Sequence, residues 1–154
     1  MLRRALLPLL LLPLVACGAS GEADLADRDE LRAVIEAYLP RLGAAYADGD
    51  LAGLEGYAAP KEIASVRKRI DDLTAEGRSL VPTLKQFSIE SWDVWSHSNA
   101  YVTTVEVWDL EVFSTGTRRL LASEIGQRSR VKYQMKRDSD SAAGWLVLYR
   151  TIVE

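Results

Sequence analysis

The spacing of apolar residues changes at Gly77, and this change limits the chain to folds in which helices precede a sheet. Before Gly77, apolar residues recur at intervals of three and four, which is typical of amphipathic helices. After Gly77, stretches rich in Val, Thr, Trp and Tyr alternate in polarity, as strands do. We therefore expect an α+β domain in which about three N-terminal helices pack on a strongly curved antiparallel sheet of about four strands.

The helical half carries signals for the start and end of each helix. Asp27 and Glu30 have the spacing of a capping box, which predicts the start of a first helix. Asp50 is placed to cap a short second helix. Pro60 suits the first position of a third helix, and Gly77 suits the position just after its end.

The β half contains one strand that is too long for a compact domain. Four strands are predicted, over Leu84–Trp95, Ala100–Phe113, Arg118–Arg137 and Gly144–Val153. The twenty residues of the third strand would span about 66 Å if fully extended. A domain of this size has a radius of gyration near ~14 Å. The third strand must therefore bend or bulge, and Gly126 is the natural place.

Side-chain alternation predicts which faces of the last two strands are buried. The alternation of Val131, Tyr133 and Met135 with polar residues predicts one buried face. The last strand has apolar residues on both faces, so we expect both to be covered. Its two sets are Trp145, Val147, Tyr149 and Thr151 on one face, and Leu146, Leu148, Arg150 and Ile152 on the other.

The first sixteen residues have the order of a secretion signal. Arg3 and Arg4 precede an uncharged leucine-rich run of about twelve residues, which is shorter than the ~20 residues that cross a bilayer. Leu14-Val15-Ala16-Cys17 resembles the lipobox of bacterial lipoproteins. The resemblance implies that residues 1–16 are a signal peptide and that Cys17 carries diacylglycerol and palmitate-type acyl chains. We expect the protein to be exported and anchored by this lipid to a membrane of the cell envelope, on the periplasmic face or the outer face of the plasma membrane.

The rest of the chain is predicted to be a tether followed by one domain. Residues 17–26 are small, polar and acidic, which predicts a flexible tether, and residues 27–154 are enough for a single domain. Cys17 is the only cysteine, so the domain has no disulfide. The 19 basic residues are outnumbered by 22 acidic ones, which argues against a nucleic-acid partner.

Few residues are suited to catalysis or metal binding. His97 is the only histidine and lies in a predicted turn, where we expect it to be solvated. One histidine and one cysteine do not make an ordinary zinc site, so we expect neither a metal nor a cofactor. Glu106 is the main carboxylate candidate, and a buried carboxylate needs a partner. Arg130 on the next strand is the expected cross-strand partner. A proton-transfer role for Glu106 with a raised pKa, or simple solvent exposure, are the alternatives.

Four tryptophans are many for a chain of this length. Core packing is the simplest explanation, and an aromatic-lined pocket or an exposed partner surface is the alternative. Trp92 and Trp95 are three residues apart, so on a regular strand they face opposite sides and one of them is exposed. A basic cluster on the third helix is interpreted as a solvated face, with contact to anionic lipid headgroups as the alternative. It comprises Lys61, Arg67, Lys68 and Arg69.

Three stretches of the β half resemble the strand series of one group of proteins. They are Val105-Glu106-Val107-Trp108-Asp109, Arg130-Val131-Lys132-Tyr133-Gln134-Met135 and Gly144-Trp145-Leu146-Val147. An acidic-aromatic, a basic-aromatic and a closing Gly-Trp strand in succession are similar to the intermembrane-space-type domains of chloroplast division proteins and their bacterial relatives. The resemblance implies the cone-shaped NTF2-like α+β fold. That superfamily includes isomerases, dehydratases, transport factors and binding modules, so the fold does not choose a function.

The sequence thus leads to one expected function and two alternatives. We expect a non-catalytic domain that holds an envelope protein or a small apolar ligand at the membrane. The alternatives are an isomerase- or dehydratase-like enzyme that uses Glu106 or Asp109, and a carrier of apolar ligands or lipid, which needs a cavity of several hundred Å³. The candidate pocket or partner site consists of Trp92, Trp95, Glu106, Trp108, Arg130 and Tyr133.

Overall fold

Two helices precede a four-stranded antiparallel sheet, so the predicted α+β order is confirmed. The computed structural model describes residues 20–154, with side chains from residue 25. The elements are helix α1 (Ser20–Asp48), a 3-10 turn (Ala52–Leu54), helix α2 (Pro60–Ala75) and strands β1 (Arg78–Trp95), β2 (Asn99–Ser114), β3 (Leu120–Arg137) and β4 (Trp145–Ile152). The predicted second helix is only the 3-10 turn, so there are two α-helices rather than three. In the part of the chain that the structure describes, no helix has the length and apolar character needed to cross a membrane.

Helix α1 begins at Ser20 and not at Asp27, so the tether predicted over residues 17–26 is helical from residue 20 onward. The capping box was misread because Asp27 uses its carboxylate for tertiary contacts with His97 and Arg137. No Pro or Gly stands between Glu22 and Asp27 to stop a helix from extending upstream. The predicted signal peptide and Cys17 lie outside the described residues.

The ends of α2 follow the local signals in the sequence. Pro60 is at the first turn of α2, where its missing N–H costs nothing. Gly77 has a φ of 71° just after the helix and donates its N–H to the Thr74 carbonyl, which ends α2 as predicted. Asp50 Oδ1 accepts the Ala52 N–H at 2.9 Å, but it does so before a 3-10 turn and not before the helix that was predicted.

The sheet has the order β1-β2-β3-β4 with antiparallel neighbours throughout, and the helices cover one of its faces. Along β2, alternate residues from Ala100 to Trp108 are buried on this inner face, as the period of two requires. Val131, Tyr133 and Met135 are fully buried beside them, which confirms their predicted face. The residues of α1 that pack on this face include Leu31, Ile35, Tyr38 and Leu42.

The predicted bulge in the third strand is present at Gly126. Trp108 pairs with Gln127 but Leu110 pairs with Glu124, so β3 has one residue more than β2 at this point. Gly126 has a φ of 69°, a conformation that costs a residue with a side chain more than glycine. Its N–H donates to Asp109 Oδ1 at 2.8 Å. The bulge lets the long strand curve around the helices.

Another bulge, at Leu148, was not predicted, and it changes which face Arg150 occupies. Gln134 pairs with Tyr149 whereas Met135 pairs with Val147, which leaves Leu148 as an extra residue of β4. Trp145 and Val147 face inward before the bulge, and Arg150 faces inward after it. The expectation that both faces of β4 are covered is wrong at its end, because Tyr149 is 40% and Ile152 57% exposed.

Candidate binding site in the concave face of the sheet

A buried carboxylate, Glu106, lies at the centre of the inner face. Its Oε1 accepts hydrogen bonds from the Thr104 hydroxyl at 2.9 Å and the Tyr133 hydroxyl at 2.5 Å. Its Oε2 accepts from Trp108 Nε1 at 2.9 Å and from Arg150 Nη2 at 3.0 Å. Each oxygen therefore has two donors, which uses the approximately four lone-pair sites of a carboxylate. The carboxylate is fully satisfied without water.

Three neighbouring strands bring these donors together. Thr104 and Trp108 are each two residues from Glu106 on β2 and share its face. Tyr133 lies on the same face of β3, and Arg150 is its register partner on β4. The cluster is therefore a row of cross-strand neighbours, and it depends on the bulge at Leu148, which turns Arg150 inward.

Arg130 is not the partner of Glu106, so the predicted ion pair between them is wrong. The register pairs Arg130 with Val105, which puts its side chain on the outer face of the sheet. There it contacts Glu90 at 2.6 Å and Glu154 at 3.5 Å. Simple alternation had placed Arg150 on the wrong face, and this is why the sequence did not identify it as the buried partner.

The environment keeps Arg150 charged and Tyr133 protonated. Burial acts to lower the pKa of Arg150, but its interactions with Tyr133 and Glu106 outweigh burial and raise that pKa. Burial, reinforced by the negative charge of Glu106, raises the pKa of Tyr133 well above its ordinary value of 10.0. Tyr133 is thus a permanent hydrogen-bond donor to Glu106 at neutral pH.

A second buried carboxylate, Glu62, was missed in the sequence. It lies on α2 with 2% of its surface exposed and accepts the Tyr38 hydroxyl at 2.9 Å. Burial raises the pKa of Glu62, although the Tyr38 hydrogen bond opposes that shift. The Tyr38 ring packs edge-on against Tyr133, with 6.2 Å between the ring centroids. A sequence signal existed, because Glu62 lies four residues before Val66 on the buried stripe of α2.

A cavity of about 180 Å³ opens beside the Glu106 cluster, between the sheet and the helices. All four strands and both helices contribute to its walls. Most of its lining is apolar, and no carboxylate is among the lining residues. They are Leu42, Tyr46, Arg69, Leu80, Pro82, Trp108, Leu110, Gln127, Ser129, Arg150 and Ile152. Trp108 and Arg150, which bind Glu106, thus form the boundary between the cavity and the buried carboxylate.

The other candidate residues do not join this site. Trp92 packs against the core and Trp95 is 37% exposed, so they face opposite sides as predicted. Trp95 contacts the Tyr101 ring at a centroid distance of 5.1 Å on the outer face. Of the six predicted residues, the structure brings together Glu106, Trp108 and Tyr133, and it leaves out Trp92, Trp95 and Arg130.

A second polar network, the edge network, ties α1 to one end of the sheet. His97 Nδ1 lies 2.9 Å from Asp27 Oδ2, and Arg137 pairs with the other Asp27 oxygen. Arg137 also pairs with Glu30 at 3.0 Å, and Trp145 Nε1 donates to Glu30 at 3.0 Å. The His97 side chain is 66% exposed, in keeping with the solvated turn that was predicted. Between residues 20 and 154, no three potential metal ligands are grouped around one point.

The sequence matches no protein-family model and no curated protein. The structure is similar to the intermembrane space region of the chloroplast protein ARC6, with a TM-score of 0.66 and 13% identity over 85% of this chain and 95% of that one. It is also similar to a protein from Catenulispora acidiphila, with a TM-score of 0.54 and 10% identity over 82% and 93% of the two chains. A periplasmic fragment of TraM has a TM-score of 0.54 and 10% identity over 81% of this chain and 96% of that one. These similarities agree with the cone-shaped NTF2-like fold that the strand patterns implied.

Proposed function

We propose that this protein is a lipid-anchored lipoprotein of the cell envelope whose domain is a non-catalytic binding module, with the concave-face cavity as its ligand site. The observation that carries the proposal is the saturation of Glu106. This carboxylate lies behind two residues that line the cavity and has all four of its acceptor positions occupied by protein donors.

This saturation favours binding over catalysis. A general base must reach the proton it removes through a free lone pair. The donors Trp108 and Arg150 separate Glu106 from the cavity, and Glu106 does not line it. Asp109, the other rival, accepts the Gly126 N–H and lies 3.5 Å from Lys85 at the bulge. Neither Glu106 nor Asp109, the two carboxylates of the enzyme alternative, is therefore presented to a ligand in the cavity.

The size of the cavity favours a small ligand over a lipid. Pockets for drug-sized ligands have volumes of roughly 300–1,000 Å³. The cavity here has about 180 Å³, which is close to the roughly 150 Å³ of an engineered apolar cavity that binds benzene. A ligand of about one ring matches this volume, whereas an acyl chain of a membrane lipid exceeds it.

The envelope location rests on the start of the chain. The two arginines, the short apolar run and the lipobox-like Leu14-Val15-Ala16-Cys17 have the order of a lipoprotein signal. Two or more acyl chains on Cys17 would hold the domain firmly on a membrane. An exported location also agrees with the intermembrane-space and periplasmic regions to which the fold is similar.

Membrane fractionation with Cys17→Ser tests the anchor. We expect the wild-type chain to stay with the membranes through a high-salt wash and to carry acyl chains on Cys17 in mass spectra. The Cys17→Ser chain should show no acyl chains in mass spectra and should give no acylated protein in the washed membrane fraction. Wild-type protein found with an unmodified Cys17 would contradict the anchor.

Ligand-observed NMR tests the binding site. The acylated full-length protein in nanodiscs is screened with single-ring compounds, and empty nanodiscs serve as the blank. Ser129→Phe fills the cavity from a small lining residue and should abolish binding. Ser88→Phe is the matched control, because Ser88 pairs with Val105 and so lies on the outer face. If binding survives Ser129→Phe, the ligand site is not this cavity.

A further inference from the structure

The polar groups around the cavity share one property, in that all of them can donate hydrogen bonds. Arg69 and Arg150 have only donors, and Gln127, Ser129 and Tyr46 each have at least one. No Asp or Glu is among the residues that line the cavity. A donor-rich rim around apolar walls matches a ligand with an apolar body and one acceptor group.

The positive charge at the rim of the cavity indicates whether the acceptor group of the ligand is neutral or anionic. Arg150 is already balanced by Glu106 at 3.0 Å. Arg69 differs, since no carboxylate among residues 25–154 forms an ion pair with it, although Lys68 beside it is paired with Asp72 at 2.7 Å. Arg69 therefore places a guanidinium at the edge of an apolar cavity, with Glu62 close enough to interact with its charge but not in ion-pair contact with it. A guanidinium matches a carboxylate because its fork of donors can bind both oxygens at once.

From this arrangement we infer that the cavity selects a small carboxylate with an apolar body of about one ring, and that Arg69 binds its carboxylate at the rim. The inference rests on the proposed binding function and adds the chemical class of the ligand. The ring would lie between Leu80, Leu110 and Trp108, where apolar burial supplies binding free energy. The ligand is a free small molecule, since the cavity is too small for a lipid chain.

A pair of ligands of equal shape tests the inference. The dissociation constants of 4-fluorobenzoate and 4-fluorobenzamide are measured by fluorine NMR line broadening with the acylated full-length protein in nanodiscs. The two probes differ in charge but not in ring size. We expect the benzoate to bind about tenfold more tightly or better, because hydrogen bonds to charged groups are stronger than those to neutral ones.

Arg69→Gln and Arg67→Gln form a matched pair of variants. Both residues are exposed on α2, but Arg69 lines this cavity and Arg67 does not. Arg69→Gln should bring the affinity for benzoate down to that for benzamide and leave benzamide binding unchanged. Arg67→Gln should change neither affinity. Equal thermal unfolding midpoints of the two variants show that the fold is intact.

The outcomes separate the inference from the proposed function. Equal binding of benzoate and benzamide, both removed by Ser129→Phe, would leave the binding site in place and overturn the carboxylate preference. A benzoate preference that Arg67→Gln and Arg69→Gln lower equally would overturn the role of Arg69. Binding of neither probe by folded wild-type protein would reject both the one-ring ligand class and the cavity as the site.

Discussion

Two of the carboxylate–arginine pairs that join elements of this fold differ in how much water reaches them. In the pair of Glu106 and Arg150 the side chains are 0% and 11% exposed. In the pair of Asp27 and Arg137 they are 7% and 35% exposed, and His97 beside them is 66% exposed. A charge removed from water is tolerated only when protein donors replace the water. This explains why Glu106 has four protein donors, whereas the edge network can use solvent for part of its bonding.

The largest expected effect is that of Glu106→Gln. The amide presents N–H donors to Trp108 and Arg150, which are donors themselves, and Arg150 loses its counter-charge in a buried position. We expect the free energy of unfolding to fall by about 3–5 kcal/mol, measured by urea denaturation followed by circular dichroism. The double variant Glu106→Gln with Arg150→Met should recover part of the loss, because no buried charge is then left alone. A loss below about 1 kcal/mol would mean that the inner pair behaves like a surface pair.

A smaller effect is expected for Arg137→Gln at the edge network. Asp27 keeps its contact with His97 and gains access to water, so this buried carboxylate still has hydrogen-bond partners. We expect the free energy of unfolding to fall by about 1–2 kcal/mol. The same urea titration gives the comparison with Glu106→Gln directly. A loss as large as that of the inner pair would show that exposure does not separate the two networks.

Glu62→Gln changes the pH dependence of stability. Burial raises the pKa of Glu62 above its ordinary value of 4.5 in the folded state. As pH rises, the unfolded chain therefore releases the Glu62 proton before the folded chain does. The wild type loses stability relative to the variant between pH 4.5 and the pKa of Glu62 in the folded state. The variant keeps an acceptor for Tyr38. We expect equal unfolding midpoints below about pH 4 and a higher midpoint for Glu62→Gln at neutral pH. A variant that is less stable at neutral pH would contradict the direction of the shift.

The smallest effect is expected for His97→Ala. Its ring is largely in water, and exposed ion pairs contribute at most about 1 kcal/mol. Asp27 keeps Arg137 as its partner in this variant. The free energy of unfolding should change by less than about 1 kcal/mol in the same assay. A larger loss would mean that His97 holds the turn between β1 and β2 in place.

The predicted elements agree with the structure where local rules decide, and they differ where distant contacts decide. Pro60, Gly77 and Gly126 were identified correctly because each acts through its own backbone. Asp27 was misread because its carboxylate serves His97 and Arg137, which are far away in the sequence. Half of the predicted site residues assemble around Glu106, because β2 and β3 follow regular alternation as far as that cluster.

The sequence by itself determined the order of helices and strands, the bulge at Gly126 and the inward face of Tyr133, because periodicity and backbone preference are local properties. The tertiary structure alone decided that Arg150 is the partner of Glu106. Leu148 is an extra residue in β4, and the backbone of Val147 just before it is bonded to Tyr57 and Ala59 from the loop that precedes α2. Such pairing between distant segments sets which face a side chain takes, and no count along a single strand can predict it.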